Sequence, residues 1–81
     1  MAEQNILIHE FTTSPTFLRN KNSITILNGS TTDSLTVGVV GSGKRVTLSS
    51  GQTLTLNAST GFTLPNIEIL GTNLSAQVVT S

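Results

Sequence analysis

KRVTLSSGQTLTLNA, residues 44 to 58, holds two short runs of alternating apolar and hydroxyl side chains, Val46-Thr47-Leu48 and Leu54-Thr55-Leu56, around Ser49-Ser50-Gly51-Gln52. Alternation with period two puts one set of side chains on each face of an extended chain, here one apolar face and one hydroxylated face. The glycine in the polar connection supplies the positive φ that a tight turn requires. The stretch therefore predicts a β-hairpin in which Val46 and Leu48 face Leu54 and Leu56.

The same hydrophobic-Thr-hydrophobic unit recurs at Ile24-Thr25-Ile26, Leu35-Thr36-Val37 and Phe62-Thr63-Leu64, and turn signals fall between the units at Asn28-Gly29, Gly41-Ser42-Gly43 and Thr60-Gly61. Further on, Ile67 and Ile69 are expected inward with Glu68 outward, and Leu74 to Val78 repeats that alternation. Pro65 cannot donate to a strand ladder, which assigns it to an edge or bend. The spacing of the threonine units drifts, whereas a β-solenoid keeps a fixed period, so a meander accounts for the pattern with less. The expected fold is all-β, a small antiparallel β-sandwich or barrel of about six to seven short strands, with an extended N-terminal segment.

Composition agrees. Ser and Thr make up 24 of the 81 residues, and the branched β-carbon of threonine suits a pleated surface. A chain of this length buries only roughly 60% of the surface exposed when unfolded, so small domains lean on disulfides, metals or partner subunits. With no cysteine and a single histidine, His9, disulfides, thiolate metal sites and multi-histidine sites are excluded, which leaves a partner subunit. Four basic residues balance four acidic ones, so no clustered charge points to nucleic acid or an anionic membrane. No stretch approaches the roughly 20 apolar residues of a membrane span, and the acidic start MAEQNILIHEF lacks the basic region of a secretion signal.

Two parts follow, residues 1–22 as an N-terminal strand or arm with a loop, and residues 23–81 as a β domain. Residues 1–22 combine Ile6, Leu7, Ile8 and Phe11 with the interrupted stretch TTSPTFLRNKN. They read either as a first strand and long loop, with Ile6 and Ile8 inward and His9 outward, or as an arm packing Phe11, Phe17 or Leu18 on a neighbouring subunit. Ile6, Ile8, Phe11, Phe17 and Leu18 are accordingly the candidate subunit or shell contacts.

One stretch imitates a functional motif. GVVGSGKR, residues 38 to 45, has the glycine, four residues and Gly-Lys of a phosphate-binding loop. Such a loop needs Ser or Thr next, for magnesium, and must lead into a helix whose N-terminus holds the phosphates. Arg45 stands at that position and strand-forming residues follow, so a glycine turn with two cations shielding a strand edge is expected. His9, Glu10, Asp33 and many serines could fill a list of catalytic types, but a triad is a matter of geometry and a serine-rich chain has no specificity for one. The three glycosylation sequons at Asn28, Asn57 and Asn73 are read as accidental, since chance alone predicts about two for this composition. Sugar platforms and single-strand nucleic-acid sites depend on exposed aromatic rings, whereas Trp and Tyr are absent and the three Phe are assigned to a small core. No enzyme activity, catalytic residue, metal or cofactor is expected.

NSITILNGSTTDSLTVG, followed by KRVTLSSGQTLTLNASTGFTLPNIEILGTNLSAQVVTS, resembles the small, cysteine-free, Ser/Thr/Gly-rich β proteins of bacteriophage virions. The order of a GQTLTL strand, a GFTLP turn and a closing SAQVV strand is similar to capsid decoration or head accessory proteins and to short tail and fibre domains. The resemblance covers residues 23–81, and no functional residue is carried across from it. It implies a protein made in the host cytoplasm and located in the virion. Such a protein would pair with itself, commonly as a trimer, and with a major capsid or tail protein, and N-terminal arms would reach neighbours. The alternative class is a non-enzymatic binding module, a fibre or surface adhesin domain, using the loops around Gly41 to Arg45 and Thr60 to Asn66.

Overall fold

Ile24 and Ile26 bracket the outward Thr25, Ile67 and Ile69 bracket Glu68, and Ala76 and Val78 bracket Gln77; each apolar pair is buried, at 3% exposure or less. The alternation legible in the sequence is thus realised as strands with one face turned into a core. The computed structural model describes residues 6–81. It contains eight strands: β1 Leu7–Phe11, β2 Thr16–Leu18, β3 Ser23–Asn28, β4 Leu35–Val39, β5 Arg45–Leu48, β6 Thr53–Asn57, β7 Ile67–Gly71 and β8 Ala76–Thr80. There is no helix among the described residues.

The strands form two four-stranded sheets, ordered β1-β8-β3-β6 and β2-β7-β4-β5, with every neighbouring pair antiparallel. The all-β expectation holds, and of sandwich and barrel the structure takes the sandwich. The pairings β1 with β8, β2 with β7, β3 with β6 and β4 with β5 are nested, like one long hairpin rolled into two layers. This is the architecture of an eight-stranded jelly roll. Leu18, Leu35, Val37, Leu48, Ile67 and Ile69 from one sheet meet Ile24, Ile26, Ala76 and Val78 from the other, with Leu74 closing one end. Full burial of each Val, Leu or Ile among these side chains contributes on the order of 1.5–3 kcal/mol.

The nested pairing overturns the meander. Only the connection between β4 and β5 stays within a sheet; each of the others changes sheet. The expected hairpin of residues 44–58 is accordingly a corner between sheets: β5 pairs with β4, and β6 pairs with β3. Period two assigns side chains to faces but carries no information about which strand lies alongside, and both arrangements satisfy it.

Asn28-Gly29 is a second correction, because neither residue has positive φ; Gly41, Gly43, Gly51 and Gly61 do. Asn28 ends β3 with 1% exposure, and its side chain spans the two sheets. Its Nδ2 donates to the Asp33 and Leu48 carbonyls at 2.9 and 3.0 Å, and its Oδ1 accepts from the Ser30 amide at 3.1 Å. Its backbone also exchanges bonds with the corner, donating to the Gln52 carbonyl and accepting from the Gly51 amide, both at 3.0 Å. One side chain thereby satisfies groups that a turn residue in solvent would leave to water.

The unit Phe62-Thr63-Leu64 lies in the β6–β7 connection, outside any strand, and Phe62 is 70% exposed. Phe17 is exposed too, so of the three rings expected in the core only the half-buried Phe11 packs against it. At β1 the inward and outward assignments are reversed. Leu7, His9 and Phe11 stand in register with the buried Thr80, Val78 and Ala76, which leaves Ile8 outward beside Val79. Ile6, Leu7 and Ile8 are apolar in both phases of the alternation, so the pairing with β8, not local hydrophobicity, chose the phase.

Candidate functional site

The four-residue β1–β2 and β5–β6 connections cross from one sheet to the other, so β1 and β2 share one lateral side of the sandwich and β5 and β6 the opposite side. All four are edge strands. Edge strands carry unpaired backbone donors and acceptors, and what surrounds them decides whether they are available to a partner.

On the β5–β6 side the two layers part to leave a cleft of about 470 Å³. Val46, Leu54 and Leu56 line it from the edge strands, Val37, Val39 and Ile67 from behind, and Leu64 and Pro65 from the β6–β7 connection. Ser42, Lys44 and Arg45 supply its polar rim, and among the described residues no acidic side chain lines it. Val46 is 51% exposed while Leu48, two residues on, is buried, so β5 leaves the core as it approaches the cleft. The sequence places Val46, Leu54 and Leu56 on a core face; their position on edge strands is what converts them to cleft walls.

The phosphate-loop imitation forms the β4–β5 hairpin at the rim. Gly41 and Gly43 have φ of 84° and 74°, the Ser42 amide donates to the Val39 carbonyl at 3.1 Å, and the Lys44 amide donates to Ser42 Oγ at 3.2 Å. Strand β5 follows at Arg45, so no helix N-terminus is present to gather phosphate oxygens. The Arg45 guanidinium makes an ion pair with Glu68 of β7. The Val40 amide donates to the Asn66 carbonyl at 3.0 Å, fastening the hairpin to the β6–β7 connection beside the cleft.

On the β1 side, Ile6, Leu7 and Ile8 are 60%, 46% and 79% exposed. Ile8 shares its outward face with Val79, itself 40% exposed, and with the exposed Glu10. Of the remaining candidate contacts, Phe17 lies on the outer face of the other sheet in register with Glu68. Phe11 is half-buried with the His9 ring stacked on it at 5.5 Å, and Leu18 is buried in the core. The structure therefore brings Ile6 and Ile8 together and separates them from Phe17, Phe11 and Leu18.

Among the described residues no group of three or more His, Asp or Glu side chains could hold a metal ion. The Asp33 carboxylate accepts from Thr32 Oγ1 and Asn73 Nδ2 at 3.2 and 3.4 Å, while His9 is engaged with Phe11. In comparisons with known proteins, no family model, curated protein or solved structure matches the chain.

Proposed function

We propose that this chain is a virion structural protein of the bacteriophage kind that assembles on or in the particle, a capsid decoration or accessory subunit that stabilises a shell through subunit packing. The observation that carries the reading is the pair of unfilled apolar features at opposite sides of so small a sandwich: the exposed Ile6-Leu7-Ile8 edge and the open cleft at Val46, Leu54 and Leu56. Contiguous exposed apolar surface on a small domain marks an interaction site. Burying it against another subunit supplies the hydrophobic driving force that an 81-residue chain without disulfides can use. The jelly roll is a recurrent architecture of viral capsid proteins, which agrees with the reading, although lectins and cupins share it and a fold does not by itself carry a function.

A second reading, a non-enzymatic binding module such as a fibre or surface adhesin domain, is favoured by the cleft itself. The two loops that would recognise a ligand, Gly41 to Arg45 and Thr60 to Asn66, both contribute to its rim or walls. Absolute mass by light scattering during size exclusion, followed over a hundredfold dilution, separates the two. A stable closed oligomer, a trimer foremost, is the expected result. A monomer at every concentration would overturn the self-assembling form of the reading and favour the binding module.

A further inference from the structure

We propose that copies of this chain join head to tail, the outward face of β1 on one copy seating in the β5–β6 cleft of the next. The inference rests on the self-assembly reading above and names its interface. The two surfaces complement each other in shape and in charge. Ile8 projects from an edge strand at 79% exposure, and Glu10, two residues on and on the same face, makes no ion pair among the described residues. Across the molecule, the cleft offers an apolar concavity whose rim carries cations and, among the described residues, no carboxylate. Arg45 is already answered by Glu68, which leaves the exposed Lys44, also without an ion pair among the described residues.

The spacings correspond. Residues two apart along a strand lie about 7 Å from each other, which is the separation of Ile8 from Glu10 and, at the start of β5, of Val46 from Lys44. An apolar side chain entering beside Val46 and Leu54 therefore brings its carboxylate neighbour to Lys44. Phe17 beside Glu68 is another exposed apolar residue next to an acid, but that carboxylate is taken by Arg45.

Because the knob, on the outer face of edge strand β1, and the cleft, between edge strands β5 and β6, are different surfaces, the contact is heterologous: each copy uses one surface to give and the other to receive. Such a junction closes into a ring when its rotation divides a full turn and otherwise propagates as a filament. A rotation of one third per junction yields a trimer.

The test uses the full chain and two exposed substitutions, Ile8→Lys in the knob and Val46→Lys in the cleft, each checked against the parent for circular dichroism and melting temperature. The parent is expected to self-associate, and each variant to weaken its dissociation constant by about a hundredfold through loss of a buried apolar anchor and placement of a charge in the junction. An equal mixture of the two variants retains one sound junction, Val46→Lys supplying the knob and Ile8→Lys the cleft, so it should form a species of two chains and no larger. Should either substitution disturb folding, the charge reversals Glu10→Lys and Lys44→Glu serve instead, each weakening association and the combination in one chain restoring it. A parent oligomer unaffected by these variants, or a mixture that stays monomeric, would overturn the head-to-tail junction while leaving self-assembly intact. A parent that is monomeric at all concentrations would overturn both.

Discussion

Arg45 on β5 reaches Glu68 on β7 across the strand between them, passing over Gly38 of β4, which stands in register with both. The missing side chain at Gly38 permits the crossing. A Cβ there would lie 2.7 Å from the Lys44 carbonyl oxygen and 3.1 Å from Arg45 Cγ. The first approach is to backbone, so relief requires the β4–β5 pairing to shift.

Gly38→Val is therefore expected to destabilise the fold by about 1–3 kcal/mol, the range for forcing extra atoms into a packed site. Glu68→Gln, which removes the ion pair but leaves the glycine passage, should cost less than about 1 kcal/mol because the pair remains partly solvated. Urea denaturation of both variants checks the order. A larger loss for Glu68→Gln would make the ion pair, rather than the steric passage, the dominant feature of this site.

Asn28 holds the corner at which the chain passes from β5 to β6. Asn28→Ala should leave the Leu48 carbonyl without its buried donor and cost about 2–3 kcal/mol, the penalty for orphaned buried polar groups plus the lost bonds. Asn28→Asp should be no better, since a carboxylate cannot donate to the two carbonyls that Nδ2 serves. Stabilities of either variant within about 0.5 kcal/mol of the parent, the range of ordinary surface substitutions, would show that the corner does not depend on this side chain.

Thr80 presents the opposite case. It is 1% exposed, its Oγ1 has no hydrogen-bond partner among the described residues, and it stands in register between Leu7 and Ile24. Thr80→Val keeps the branched shape and removes a desolvated hydroxyl, so a gain of about 1 kcal/mol is expected. In a domain of this size that raises the melting temperature by roughly 4–8 °C. A fall in thermal stability on calorimetry would mean the hydroxyl has a partner after all.

The hairpin at Gly38 to Arg45 is expected to bind no nucleotide. Isothermal titration of the parent with magnesium ATP should show no saturable heat, and Lys44→Ala combined with Arg45→Ala should be indistinguishable from it. Measurable affinity in the parent that the double variant abolishes would restore the phosphate-loop reading.

Much of this architecture is legible locally. Strands β3, β4, β7 and β8 follow the alternation at Ile24-Ile26, Leu35-Val37, Ile67-Ile69 and Ala76-Val78, and the glycines at 41, 43, 51 and 61 mark turns with positive φ. The candidate interaction surface was less legible. Ile6 and Ile8 stand out as exposed apolar residues, but Leu18 belongs to the core, and the cleft residues Val46, Leu54 and Leu56 look in sequence like any other inward set. Asn28-Gly29 carried a turn signature because the same two residues suit a turn in solvent, and only its burial makes Asn28 a link between sheets.

By itself the sequence determined that this chain is all-β, where its positive-φ glycine turns fall and, for most strands, which side chains share a face, because period-two alternation and positive-φ glycines act within a few residues. Only the tertiary structure decided that β5 and β6 part into different sheets, that β1 presents Ile8 rather than His9 to solvent, and that an open edge and an open cleft stand at opposite sides. Strand pairing joins residues far apart in the chain, and its register is set by which combination of faces buries the most apolar surface, a quantity that no local pattern contains.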